Sequence, residues 1–329
     1  LAPAIGPSIG GLLVDLFGWR SLFFMVVPFC LASIALCRRY VPTTAPGGVS
    51  ANHGKPTLDV LGLLLACVGT LCLLNGLVQW HAGVAWLAGL LLLLAIACTV
   101  GFVLWQRRLI TQGIAPLMDL RLFAHRPFAM GSMVAFIYGT ALFGSTYLIP
   151  VYLQLGLGFS ASHVGTIMLP AGLVLAATIA VVGRYASTHP THWLVSIGLL
   201  LLSASFGLAL LIGIDTALWA LVALAILGRV GLGFVLPSLN IGSMRSMQAA
   251  LIPQGASAIN FVRMLGGAAG VSLCGILLEW RMAAHGQPLA FAAPSVERLA
   301  AFNDVFLMLA LTCALAMWAA WKIREPQSD

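Results

Sequence analysis

The run LAGLLLLLAIACTVGFVL (87–104) carries no charged residue. A helix rises 1.5 Å per residue, so this run alone covers about 27 Å of the ~30 Å hydrocarbon core of a bilayer. A strand of a membrane barrel would alternate polar and apolar side chains. This run does not alternate, and neither does LVSIGLLLLSASFGLALLI (194–212). Backbone polar groups in lipid must be satisfied within the chain itself, so both runs read as transmembrane helices. The same ruler, moved outward, predicts ten spans: 1–17, 21–40, 58–79, 84–105, 128–150, 162–182, 193–213, 217–241, 255–279 and 302–321. The expected fold class is an all-α membrane protein.

Composition agrees. Of the 329 residues, 61% are hydrophobic and 8% charged, and the mean hydropathy is +1.04. Soluble domains average about 45–50% apolar and about 25% charged residues. The seven cysteines lie in apolar runs without CxxC spacing, so they read as small buried hydrophobes rather than zinc ligands. The seven histidines sit in or beside polar connections. The formal charge of +7 is scattered in ones and twos between spans, which is a topology signal and not a nucleic-acid stripe.

Placement of Lys and Arg orients the spans. With connections alternating, one side collects Arg38, Arg39, Lys55, Arg107, Arg108, Arg121, Arg126, Arg184, Arg245, Lys322 and Arg324. The other collects Arg20, Arg281 and Arg298. Basic loops stay in the cytoplasm, so the C-terminus is expected there, in a plasma (inner) membrane. Trp19, Trp80, Trp86, Trp193, Trp219 and Trp280 fall near span ends, as interfacial anchors do. Two longer connections divide the chain. Residues 1–40 are two helices, 41–57 a cytoplasmic linker, and 58–108 a further helix pair. Residues 109–127 form a second linker, 128–321 a six-helix bundle and 322–329 a tail.

The first span holds Gly6, Pro7, Gly10 and Gly11, followed by Asp15, Gly18, Trp19 and Arg20. Pro7 removes one backbone donor and the glycines admit a close neighbour. Such a helix can seal one side of a bundle, or it can simply pack. The full string GPSIGGLLVDLFGWRSLFF (6–24) resembles motif C of drug:proton antiporters in the major facilitator superfamily. PLMDLRLFAHRPFAMG (116–131), YLIPVYLQLGLGFSASHVGTIMLPAG (147–172), LGRVGLGFVLPSLN (227–240) and QGASAINFVRMLGGAAG (254–270) are similar, in order, to helices nine, ten, twelve and thirteen of the fourteen-helix EmrB/QacA-type branch. The resemblance implies a major facilitator fold in which this chain carries helices five to fourteen, the first four lying outside it. Two departures stand out. Met25-Val26-Val27-Pro28 lacks the Asn usual before that Pro, and Ser187 stands where many relatives carry Asp, which weakens a charge lock there.

Arg229 lies in the middle of an apolar span, where a cation costs roughly 2.5–3.5 kcal/mol on insertion scales. It must face a partner, a wet cavity or the bundle interior. The resemblance makes it a counterpart of the motif-B arginine of helix four; a structural arginine bonded to carbonyls is the alternative. Asn240, eleven residues on, falls on the same helical face. Arg263, with Asn260 one turn before it, is expected to snorkel or brace a loop. Gly266 and Gly270 form a packing step. Phe136, Tyr138, Tyr147 and Gln154, with Asn75, are candidates for a mostly apolar substrate cavity suited to lipophilic or cationic organic compounds, although aromatic residues in membrane helices commonly only pack. No carboxylate falls at a midplane, so a proton-coupling acid is expected in helices outside this chain. The function these readings imply is proton-coupled export of drugs or other small organic molecules by alternating access, with the proton gradient as energy source and no cofactor. Expected partners are the lipid bilayer, the substrate and a candidate periplasmic adaptor. Transport of one metabolite or siderophore is the alternative. Paired catalytic groups and filter motifs are missing from the spans, so an enzyme or channel is not expected.

Overall fold

The computed structural model describes residues 2–40, 59–81, 83–114, 116–186, 188–214, 216–245, 247, 251–287 and 294–323. Ten α-helices follow one another: α1 (Ala2–Phe17), α2 (Ser21–Tyr40), α3 (Val60–His81), α4 (Ala85–Thr111), α5 (Arg126–Val151), α6 (Ala161–Tyr185), α7 (Thr191–Ala209), α8 (Leu218–Gly242), α9 (Ile252–Ala284) and α10 (Val296–Trp321). Among the described residues there is no strand. Nine of the helices are long and apolar enough to cross a membrane; α1, with 16 residues, is the shorter one.

The core belongs to α5–α10. The main cluster of buried apolar side chains begins at Leu122 and ends at Ile323. Helix α2 has no buried residue at all. Leu211, Phe24, Trp219 and Trp86 are each 74–80% exposed, an outward apolar surface that suits lipid and not water. The six tryptophans expected as anchors are all more than half exposed. Within the six-helix group, α5 packs on α9, α7 on α8 and α10, and α6 on α8. Helix α1 lies along α6, and α3 pairs with α4 while touching α9.

Several boundaries differ from the sequence expectation, for identifiable reasons. Helix α4 continues to Thr111, because Arg107 and Arg108 remain exposed while Gln106 and Leu109 are buried. The connection expected at 109–127 therefore shrinks to 112–125, and it holds a 3-10 turn at Leu120–Ala124 capped by Asp119. Helix α10 begins at Val296 and not at 302, since the Ser295 hydroxyl accepts the Arg298 N–H and Glu297 occupies the first turn. Past Pro150, α5 widens into a π-helical turn at Tyr152–Gly156. The linker at 41–57, the position of Ser187 and the end of the tail lie outside the described residues.

Asp59 fastens α3 to α4. It accepts from the Gly62 N–H (2.8 Å), the Trp105 indole (2.8 Å) and the Gln106 amide (2.6 Å). Gln106, fully buried, accepts in turn from the Met118 N–H at 3.3 Å, which ties the hairpin to the connection leading into α5. Burial acts to raise the Asp59 carboxyl, but the donors from Gly62, Trp105, Gln106 and Leu117 outweigh it and hold it below the ordinary value. A depressed carboxyl stabilises the folded form above its unfolded pKa of about 4 and loses that effect only as pH falls through the lower folded value. Amide exchange over 106–119, corrected for intrinsic rate, is therefore expected to stay constant from pH 8 to 5. Asp59→Ala should accelerate it several-fold throughout that window. Unchanged exchange in the variant would show that Asp59 fastens nothing.

Candidate functional site

Helices α5 and α9 meet with almost no gap. A Cβ added to Gly139 would lie 2.0 Å from the Arg263 carbonyl oxygen, and one added to Gly266 would lie 2.1 Å from that of Phe136. The Thr140 hydroxyl donates to the Gly266 carbonyl at 2.9 Å, and Gly270 rests on the Thr140 backbone. Small residues allow this approach, and the hydrogen bond adds direction. The Gly266/Gly270 step thus packs, as its spacing implied.

Next to Gly139 in this contact, Tyr138 of α5 is 1% exposed. Arg229 of α8 and Arg263 of α9 both act electrostatically on its hydroxyl. Arg229 is 8% exposed, and Tyr138 is its electrostatic neighbour among the described residues. Arg263 is half-buried, and its guanidinium donates to Asn260 Oδ1 at 2.5 Å. Two guanidiniums within electrostatic range of one buried phenol give this part of the helix bundle a positive potential, which low dielectric strengthens. They offer N–H donors in an otherwise apolar wall.

The other candidate residues are dispersed. Asn240 is exposed and two residues from the end of α8, so it extends no buried stripe from Arg229. Phe136 is half-buried, and its carbonyl touches Gly266. Tyr147, also half-buried, sets its hydroxyl against Gly275 of α9. Gln154 is half-buried in the π turn. Asn75 is exposed on α3 and bonds its own Leu71 carbonyl at 2.8 Å, away from the arginines. The cavity enclosed by Tyr152, Ile167, Phe206, Leu221 and Phe306 within the six-helix group measures about 30 Å³, room for a water and not for an organic ligand.

In α1, Gly10 faces Leu22 and Gly11 lies against α6: an added Cβ would stand 2.4 Å from the Ala161 carbonyl oxygen. Four residues on, the Asp15 carboxylate accepts the Ser162 N–H at 2.9 Å, a charge at the start of α6 where free N–H groups favour it. Gly6 and Pro7 lie in the same helix. The glycines of this motif thus bring α1 onto the six-helix group at one end.

Sequence reasoning missed Arg298. Expected in an outer connection, it is fully buried and donates to the Leu155 carbonyl of the π turn at 2.8 Å. Ser295 with Glu297, a cap followed by an acid, was the available signal that a helix starts before it. Asp304 stands in the third turn of α10 and pairs with Arg281 of α9 at 2.5 Å. Among the described residues no three His, Cys, Asp or Glu side chains group as metal ligands do.

Closely packed, long apolar helices around buried arginines define a polytopic α-helical membrane protein. A family model described as Major Facilitator Superfamily matches residues 1–271. The chain belongs to that superfamily. It is 24% identical over 273 residues to the lincomycin resistance protein LmrB of Bacillus subtilis, covering 83% of this chain and 56% of that protein. With the multidrug transporter protein MdtP of the same organism it shares 27% over 288 residues, 85% of this chain and 51% of MdtP. With the colistin resistance protein EmrB of Acinetobacter baumannii it shares 28% over 297 residues, 87% of this chain and 55% of EmrB. The chain spans about half the length of these curated relatives.

Proposed function

We propose that this chain works in a proton-coupled exporter of small organic molecules that operates by alternating access. The observation that carries the reading is a cation buried in an apolar helix, Arg229 of α8 at 8% exposure, within electrostatic range of the buried Tyr138 of α5. An intramembrane cation this buried is costly, and residues of this kind commonly mark substrate or ion pathways. Resistance and multidrug relatives support the substrate class. In this reading α5–α10 move as one bundle against another that includes α1 and α2, about a site near the midplane. Gly11 of α1, closely packed on α6, seals one side. The Lys and Arg bias supports a cytoplasmic side, in a plasma membrane, for the connection after α4 and for the C-terminus. A periplasmic adaptor is a further proposed partner, and the proton gradient is the proposed driving force.

Proteoliposomes containing the full-length protein, given an imposed pH gradient, test this. Lincomycin, colistin and a set of lipophilic dyes should include at least one compound whose addition accelerates proton flux over protein-free vesicles. Compound-independent flux across the whole set would overturn the proposal.

A further inference from the structure

Helix α3 repeats every seven residues on two of its faces. Gly62, Gly69 and Gly76 form one stripe, and it is filled: their added Cβ atoms would meet Gln106, Cys98 and Leu92 of α4. A second stripe runs Leu61, Leu64, Val68, Leu71, Asn75 and Val78, in alternating steps of three and four. These are the a and d positions of a heptad, with Leu61, Val68 and Asn75 at a. This stripe is bare. Its five apolar residues are 38–60% exposed, and Asn75 is exposed with them. At about 100° per residue, the glycines point to α4. Leu63, Ala66 and Thr70 turn to a crevice of about 530 Å³ that α3 shares with Phe102 of α4 and Phe261 of α9. The heptad stripe points away from both, with Leu71 at the rim of the crevice.

Asn75 selects the occupant. Its Nδ2 donates to the Leu71 carbonyl at 2.8 Å, and among the described residues its second N–H and its Oδ1 have no partner. Trp80, an interfacial anchor 66% exposed, follows five residues later, so the amide stands about 7–8 Å inside the hydrocarbon. Lipid tails offer it neither donor nor acceptor. An amide carries both, so it is complemented by a second amide related to it by a two-fold axis. Copies inserted with the same orientation set their α3 helices parallel, which brings each a position against its own counterpart. Helix α3 contains no Asp, Glu, Lys or Arg that would repel the copy. From Leu61 to Val78 the stripe rises about 26 Å, most of the ~30 Å hydrocarbon thickness. We infer that α3 is the contact between two copies of this protein. Leu64 and Leu71 pack as d residues beside Val68 at a, the two-stranded choice, and the paired Asn75 amides fix the register.

Full-length protein, labelled with donor and acceptor dyes and diluted stepwise in lipid bilayers, tests this by energy transfer. A reversible dimer is expected. Asn75→Leu should weaken association at least ten-fold while the protein still elutes as one monodisperse species, and Asn75→Gln, which keeps the amide, should retain most of it. Oxidation of Val68→Cys should link two copies above the level set by the native cysteines. Leu73→Cys, partly exposed on the opposite side of the helix, should not. A monomer at every density, undiminished association in Asn75→Leu, or equal linking through Leu73→Cys would overturn the inference. So would a Val68→Cys that resists maleimide in the diluted monomer, since another segment of the same chain then covers the stripe.

Discussion

Arg229→Met is expected to reduce transport at least ten-fold while leaving the thermal midpoint unchanged or higher. The physical reason is an imbalance between cost and use. A guanidinium in the middle of an apolar helix costs roughly 2.5–3.5 kcal/mol on insertion scales. Replacing a buried charge by a well-packed apolar side chain is commonly neutral or stabilising by about 1–4 kcal/mol. At 8% exposure, beside a Tyr138 that is itself 1% exposed, Arg229 pays that cost in this fold. If its role is to bind a ligand or a moving contact, the methionine variant folds and fails to transport. Arg229→Lys separates charge from shape: it keeps the cation but loses the planar fork of donors, so partial activity is expected. Efflux of a transported dye and the fluorescence-detected elution profile are the paired measurements. A variant that transports normally, or one that no longer folds, would reduce Arg229 to scaffolding.

Gly266→Val is expected to destabilise the protein by about 3 kcal/mol or more, at the upper end of the overpacking range. An added Cβ there meets Phe136 O at 2.1 Å, its carbonyl carbon at 2.7 Å and its Cα at 2.8 Å. These are backbone atoms, which cannot swing aside as a side-chain tip can. Gly139 meets Arg263 O from the opposite side, so neither helix can retreat without breaking a second contact. The variant must separate α5 from α9, which costs the Thr140–Gly266 hydrogen bond and carries Tyr138 away from Arg263. Gly207→Ala in α7 is the control, since nothing lies within 4 Å of its added Cβ. There the gain in helix propensity should dominate, raising stability by up to about 1 kcal/mol. Thermal midpoints measured in one detergent decide it. An unchanged midpoint for Gly266→Val would mean that the two helices are not in contact as described.

The spans were legible because the bilayer imposes one length on every helix that crosses it. Leu87–Leu104 and Leu194–Ile212 could be read without reference to any other part of the chain. Errors gathered where a charged residue sits inside a helix. Arg107 and Arg108 looked like a loop, yet α4 passes through them with their side chains exposed. Arg298 looked like a surface residue, yet a backbone carbonyl of the π turn, 143 residues away in sequence, makes its burial tolerable. No local pattern announces such a partner.

Sequence alone determined the class of protein, the number and order of the helices, and the singular position of Arg229, because hydropathy and helix rise act residue by residue. Tertiary structure decided that Tyr138 is buried within electrostatic range of Arg229 and Arg263, while Asn240 and Asn75 are exposed. It also decided that Gly139 and Gly266 form one contact and that α3, α4 and α9 leave a crevice between them. Those facts depend on which helix faces fit together. Fit is a property of pairs of surfaces, and a single string of residues records each surface without its mate.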